Sequence, residues 1–196
     1  LCFVSEFIGV KAPSRAVKTG AANVYRNLAL NPAALQCDAE IAPSFPVATS
    51  NSEYGYLDEF AAKNVIDGAT ENRGHGPNFP SWGPNLRTDC RLTIHFGAPV
   101  EIDKVKLYLR ADFPHDATWR SGTLVFTDDT IHEESETTLD VEFKATADAQ
   151  TFEFPKRRVT SVTLTNLKSD FPLKWCGVTE FEVWGTSVET EIIRRK

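Results

Sequence analysis

Between Arg91 and Leu109 the chain alternates between apolar and polar residues with little interruption. Leu92, Ile94 and Phe96 are spaced by Thr93 and His95, and Val105, Leu107 and Leu109 by Lys106 and Tyr108. A period of two puts successive side chains on opposite faces of an extended strand, so one face is buried and the other meets solvent. Val100 and Ile102 carry the opposite parity, and the slip at Asp103-Lys104 predicts a bulge or bend there.

The same period returns later in the chain. Val162 and Leu164 face one way while Ser161, Thr163 and Thr165 face the other, and further strands are predicted over 122–127, 151–154, 159–166 and 180–184. No long segment with a helical period competes, apart from a short helix expected over 57–65. Short strands between Gly, Pro and Asp turns predict an all-β chain folded as an antiparallel β-sandwich. Phe96, Val105, Leu107, Val162, Leu164, Phe181 and Val183 are its expected interior, and 196 residues are enough to bury a substantial core.

Charge narrows the function. The net charge is -6, and the basic residues are scattered apart from the tail Arg194-Arg195-Lys196. A nucleic-acid partner is not expected, because phosphate contacts require a concentrated basic stripe. No apolar run approaches the roughly 18 to 20 residues that span a bilayer, so a membrane partner is not expected either. The opening Leu1-Cys2-Phe3-Val4 has no basic flank and the chain has no Met, which reads as an excised or processed piece; an extracellular or cell-surface location is favoured. Cys2, Cys37, Cys90 and Cys176 contain no Cys-x-x-Cys pair, which argues against structural zinc. Disulfides and buried free thiols both stay open, with free thiols preferred because a core of this size needs no staple.

Four pieces of sequence carry a resemblance. Asn64-Val65-Ile66-Asp67-Gly68 is followed by Ser81-Trp82-Gly83 and closed by Thr179-Glu180-Phe181-Glu182-Val183-Trp184-Gly185, after an opening Asn27-Leu28-Ala29-Leu30-Asn31-Pro32. In order and spacing these resemble the discoidin-like domains, the group of the coagulation factor V and VIII C-type domains and family 32 carbohydrate-binding modules. The resemblance covers residues 27–185, leaving 1–26 as a linker or the edge of a preceding domain and 186–196 as a C-terminal tail or linker. It implies a galactose-binding-like jelly roll that binds carbohydrate without catalysis, as an accessory module beside other domains of a parent chain.

It also implies a structural calcium ion. Asp67-Gly68 alone is a turn that supplies a hard anionic oxygen, the ligand type calcium prefers. By resemblance Asp67 and Glu180 give side-chain oxygens and Asn64 and Thr179 give carbonyls. Asn72 stands where the family often has Thr.

The densest polar cluster is Arg110-Ala111-Asp112-Phe113-Pro114-His115-Asp116 with Trp119. It follows an apolar strand, so it is expected in a loop at one end of the sandwich, where such folds place binding sites. Arg110, Asp112, His115, Asp116 and Trp119 offer donors, acceptors and an aromatic face for a sugar. His75 between two glycines, Trp82 and Trp175 are further candidates, with Trp175, beside Phe171 and Lys174, completing a platform. Scaffolding is the competing role: an internal Arg110–Asp112 salt bridge, with Trp82, Trp119 and Trp175 closing the core. An enzyme is not expected, since no nucleophile elbow, zinc-binding helix or phosphate-binding glycine loop is present. The alternatives are an adhesion or protein-interaction module and a structural domain packed against a catalytic one.

Overall fold

A computed structural model of the chain describes residues 24–33, 44–74, 76–87, 89–111, 115, 117–130, 135–170 and 174–188. Seven antiparallel strands make up the fold: β1 (Arg26–Asn27), β2 (Val47–Ser50), β3 (Leu92–Leu109), β4 (Ser121–Asp128), β5 (Ser135–Glu142), β6 (Gln150–Lys168) and β7 (Val178–Ser187). They are hydrogen-bonded in the order β1-β7-β3-β6-β4-β5, with β2 added alongside β3.

The continuous ladder becomes two layers because β3 and β6 each serve in both. The first half of β3, residues 92–95, pairs with β2 and with the end of β6, which also carries β4. Its second half, residues 100–109, pairs with the start of β6 and with β7. Register breaks between His95 and Val100, where the strand crosses from one layer to the other. Gly97 at this crossing has φ +72, a backbone state that costs glycine little. A second break falls between Ile102 and Lys104, the bulge that the parity slip at Asp103-Lys104 predicts.

The alternating residues fill the space between the layers. Phe96, Val105, Leu107, Val162, Leu164, Phe181 and Val183 are all buried, with Leu92, Ile94, Ile102, Leu109, Leu124 and Phe126 beside them. Instead of a helix over 57–65 there are short 3-10 turns at Asp58–Phe60 and Ala62–Ile66. Cys90 and Cys176 are buried free thiols, whereas Cys2 and Cys37 lie outside the described residues. Burial pushes the Cys90 thiol up to about 11 and the Cys176 thiol also above its usual range, so neither is an ionised nucleophile at neutral pH.

Candidate functional site

At one end of the sandwich three connecting segments are laid against one another by backbone hydrogen bonds. Tyr54 N–H donates to Gly83 O (2.8 Å), Gly83 N–H to Phe60 O (3.2 Å) and Ser81 N–H to Glu59 O (3.0 Å), which fixes the turns after β2 to the segment 81–83. Trp82 exchanges two bonds with Val178 at the start of β7, and Arg110 N–H donates to Gly177 O at 2.9 Å. The loop ends are thus held by main-chain pairing rather than by side chains alone.

Aromatic rings crown this assembly. Trp175 is 45% exposed and meets the ring of Tyr54, 40% exposed, edge-on at 4.7 Å between centroids. Tyr54 in turn packs edge-on against Phe60 at 5.4 Å. Tyr56 is 94% exposed and has φ +54, next to Gly55 at φ +61. A left-handed backbone at a bulky residue is uncommon and collects at functional turns.

Beneath the rings lies Arg110, buried. Its guanidinium donates to Trp175 O (3.2 Å) and Ser81 Oγ (3.4 Å) and lies 5.6 Å from the centre of the Phe60 ring. Burial lowers its pKa from the usual guanidinium range. Arg110 therefore braces the Trp175 segment from inside.

Trp82 and Trp119 are placed inward as well. Both are buried and stack on each other, centroids 5.7 Å apart and planes 26° from parallel. Trp82 Nε1–H is spent on Ser50 Oγ (2.9 Å) and Ser52 O (3.0 Å). Trp119 is only 6% exposed, and the little it exposes lines the cleft beside β4, β5 and β6. Of the expected ligand residues Trp175 alone is described as an exposed aromatic ring; His115 is half-buried, and His75, Asp112 and Asp116 lie outside the described residues. Tyr54, Tyr56 and Phe60 were not anticipated. The only sequence signal for them is the aromatic-Gly-aromatic turn Tyr54-Gly55-Tyr56.

The carboxylates of the resemblance meet elsewhere, where the 67–69 turn touches β7. Gly68 N–H donates to Glu180 Oε2 at 3.2 Å, and Ala69 N–H to Asp67 Oδ1 at 2.7 Å. Glu180 is fully buried, and its Oε1 has no hydrogen-bond partner among the described residues. Asn72 Oδ1 is buried and unpartnered in the same sense, while its amide donates to Phe79 O at 2.9 Å. Burial, and then the nearby charge of Asp67, push the Glu180 carboxyl up to about 9; burial raises Asp67 as well. Glu180, buried, and Asp67, half-buried, face each other where the turn meets β7, and carboxylate oxygens are the hard donors that a calcium ion takes. Among the described residues no three His, Cys, Asp or Glu side chains gather to hold a metal, so such an ion would also need carbonyl or amide oxygens. Asn64 cannot contribute its amide nitrogen end, which donates to Asp58 O at 2.7 Å, and Thr179 is buried beside Glu180.

No protein-family model matches the chain, and no curated protein sequence matches it. Solved structures do. The chain is similar to chitosan-binding module 1 of a chitosanase/glucanase from Paenibacillus sp. IK-5, with 21% identity over 82% of this chain and 99% of that one and a TM-score of 0.59. It is similar to the family 32 carbohydrate-binding module of C. perfringens NanJ, solved with galactose, with 13% identity, 70% and 92% coverage and a TM-score of 0.53. A fucose-binding module of Streptococcus pneumoniae matches at 12% identity, 81% and 96% coverage and a TM-score of 0.54. The fold is therefore the galactose-binding-like, discoidin-type β-sandwich.

Proposed function

We propose that this chain is a non-catalytic carbohydrate-binding module, working as an accessory domain of a larger protein. The observation that carries the reading is the pair of solvent-facing rings Tyr54 and Trp175, fixed edge-to-face at the loop end and braced from below by Arg110. A pyranose presents an apolar face of C–H groups, and a pre-positioned aromatic ring binds it at low entropic cost because little remains to be ordered. The structures described above as similar are modules that bind chitosan, galactose or fucose, which supports the same class of ligand here.

The carboxylate cluster supports a structural calcium ion held by Asp67 and Glu180, with Asn72 and the carbonyls of Asn64 and Thr179 as further oxygen donors. Its effect would be mechanical. An ion shared by Asp67 and Glu180 ties a mid-chain loop to β7, the strand that follows Trp175.

A glycan array tests the function. The calcium-loaded chain should give signal on a defined set of glycans, and Trp175→Ala should lose it while keeping the wild-type fold by circular dichroism. Equal signal from the variant would move the site away from the platform, and no signal from a folded wild-type protein would reject carbohydrate binding.

A further inference from the structure

A cleft of 1010 Å³ lies against β4, β5 and β6, walled on one side by residues 84–87 and running up to Lys174 and Cys176, which flank Trp175 in the chain. Small-molecule sites usually enclose about 300 to 1,000 Å³. Three strands alone make a floor about 10 Å wide at the usual strand spacing. That is room for several linked rings rather than one.

The floor is a hydrogen-bonded row across those strands. Asn166 of β6 donates its side-chain amide to Thr123 Oγ1 of β4 (3.3 Å), and Thr123 donates its hydroxyl to Asp140 Oδ1 of β5 (2.8 Å). Asn166 reaches this row through a bulge. Ser121 pairs with Lys168 and Thr123 with Thr165, so Gly122 alone opposes both Asn166 and Leu167. Asn166 takes φ +51, a state that Asn tolerates better than most residues. A Cβ on Gly122 would come within 3.0 Å of Leu167 Cδ2 and 3.3 Å of Thr165 O, so a larger residue opposite the bulge would crowd it. Bulges of this kind re-aim side chains and gather beside binding sites.

The row leaves acceptors for a ligand. Asn166 Oδ1 and Asp140 Oδ2 are not used within it, and a carboxylate oxygen offers two lone pairs. Charge in the cleft is mixed. Asp140 and Glu142 stand on the β5 side, Lys168 and Lys174 opposite them, and Arg87 is held by Asp89 at 2.6 and 2.8 Å. An anionic polymer would meet the carboxylates and a cationic one the lysines, whereas hydroxyl groups, each both donor and acceptor, suit both walls.

We propose that this cleft is a groove for a neutral oligosaccharide chain that continues from the aromatic platform, a proposal that rests on the carbohydrate reading above. The protein then grips several consecutive sugars along a chain instead of a single terminal one.

The test is native electrophoresis of the full calcium-loaded chain through gels containing a β-glucan, a galactan or a mannan, with chitosan and polygalacturonate as charged polymers. At least one neutral polymer should retard it, and its hexasaccharide should bind at least tenfold tighter than its disaccharide by calorimetry. The double variant Asn166→Gly, Asp140→Ala should lose that tenfold gain and keep disaccharide affinity; glycine suits the left-handed bulge, so the fold survives. Equal affinity for disaccharide and hexasaccharide, an unaffected double variant, or retardation by charged polymers alone would overturn the groove. So would no retardation beside a positive glycan array, in which case the carbohydrate reading stands. No retardation and a silent array would overturn both.

Discussion

Trp119 and Trp175 show how much depends on where one ring ends up. Both are tryptophans in loops at the same end, yet one is stacked on Trp82 inside the sandwich and the other projects into solvent beside Tyr54. Trp119→Ala should cost about 3 to 5 kcal/mol of stability, the usual range for emptying a large aromatic site. Trp175→Ala gives up an aromatic pair worth about 0.5 to 1.5 kcal/mol, and should lose ligand binding with little change in melting temperature. Urea denaturation and glycan titration of both variants check this; a large stability loss in Trp175→Ala would make that ring structural. Arg110→Ala removes charged hydrogen bonds to Trp175 O and Ser81 Oγ, each worth about 1.5 to 3 kcal/mol, so it should lower both stability and affinity. Wild-type affinity in that variant would contradict the bracing role.

At the scale of elements, β3 and β6 decide the fold because each runs through both layers, and their alternation was legible in the sequence. Leu107 sits near the end of β3 between β6 and β7, fully buried, and Leu107→Ala should cost about 2 to 5 kcal/mol by equilibrium unfolding. The short β1 and β2 escaped reading, and so did β5. Ser135–Glu142 holds only Leu139 and Val141 as apolar residues, and as an edge strand it is defined by pairing with β4 rather than by its own pattern. The site was legible in part for the same reason. Residue types announced a loop rich in recognition chemistry, but which side chain faces water depends on tertiary stacking, such as Trp82 on Trp119, that no local pattern encodes. The positive φ of Tyr56 and Asn166 was equally invisible, since neither residue requires it.

The carboxylates bind the 67–69 turn to β7, and their titration carries a sign. The folded Glu180 carboxyl sits at about 9, above its ordinary 4.5. The folded state therefore holds this proton more tightly than the unfolded chain, and the contribution is fully present below the ordinary value and lost as pH rises through the raised one. Metal-free protein should lose melting temperature as pH climbs from about 5.5 to 8.5. A calcium ion on this carboxylate would compete with that proton, so its affinity should rise over the same interval, and excess ion at a hundred times its dissociation constant should restore roughly 2.7 kcal/mol. Glu180→Gln should flatten both dependences, and Asp67→Ala should lose the calcium response. Wild-type melts unchanged by chelator across this range would reject the ion.

For the whole molecule, two layers of sheet hold a small set of loops still enough to present rings and polar groups at one end. A bound glycan chain would bury those rings while leaving the β1–β7 edge untouched, and repeated modules on one parent chain would add avidity to modest single-site affinity. The most direct measurement is a two-dimensional NMR titration of the protein, in buffer containing calcium, with a glycan selected from the array. Shift changes should centre on Tyr54, Tyr56, Trp175 and its indole N–H, and extend to Thr123, Asp140 and Asn166 when the glycan is a hexasaccharide. Changes confined to the β1–β7 edge, or a spectrum that does not move at saturating glycan, would contradict the account.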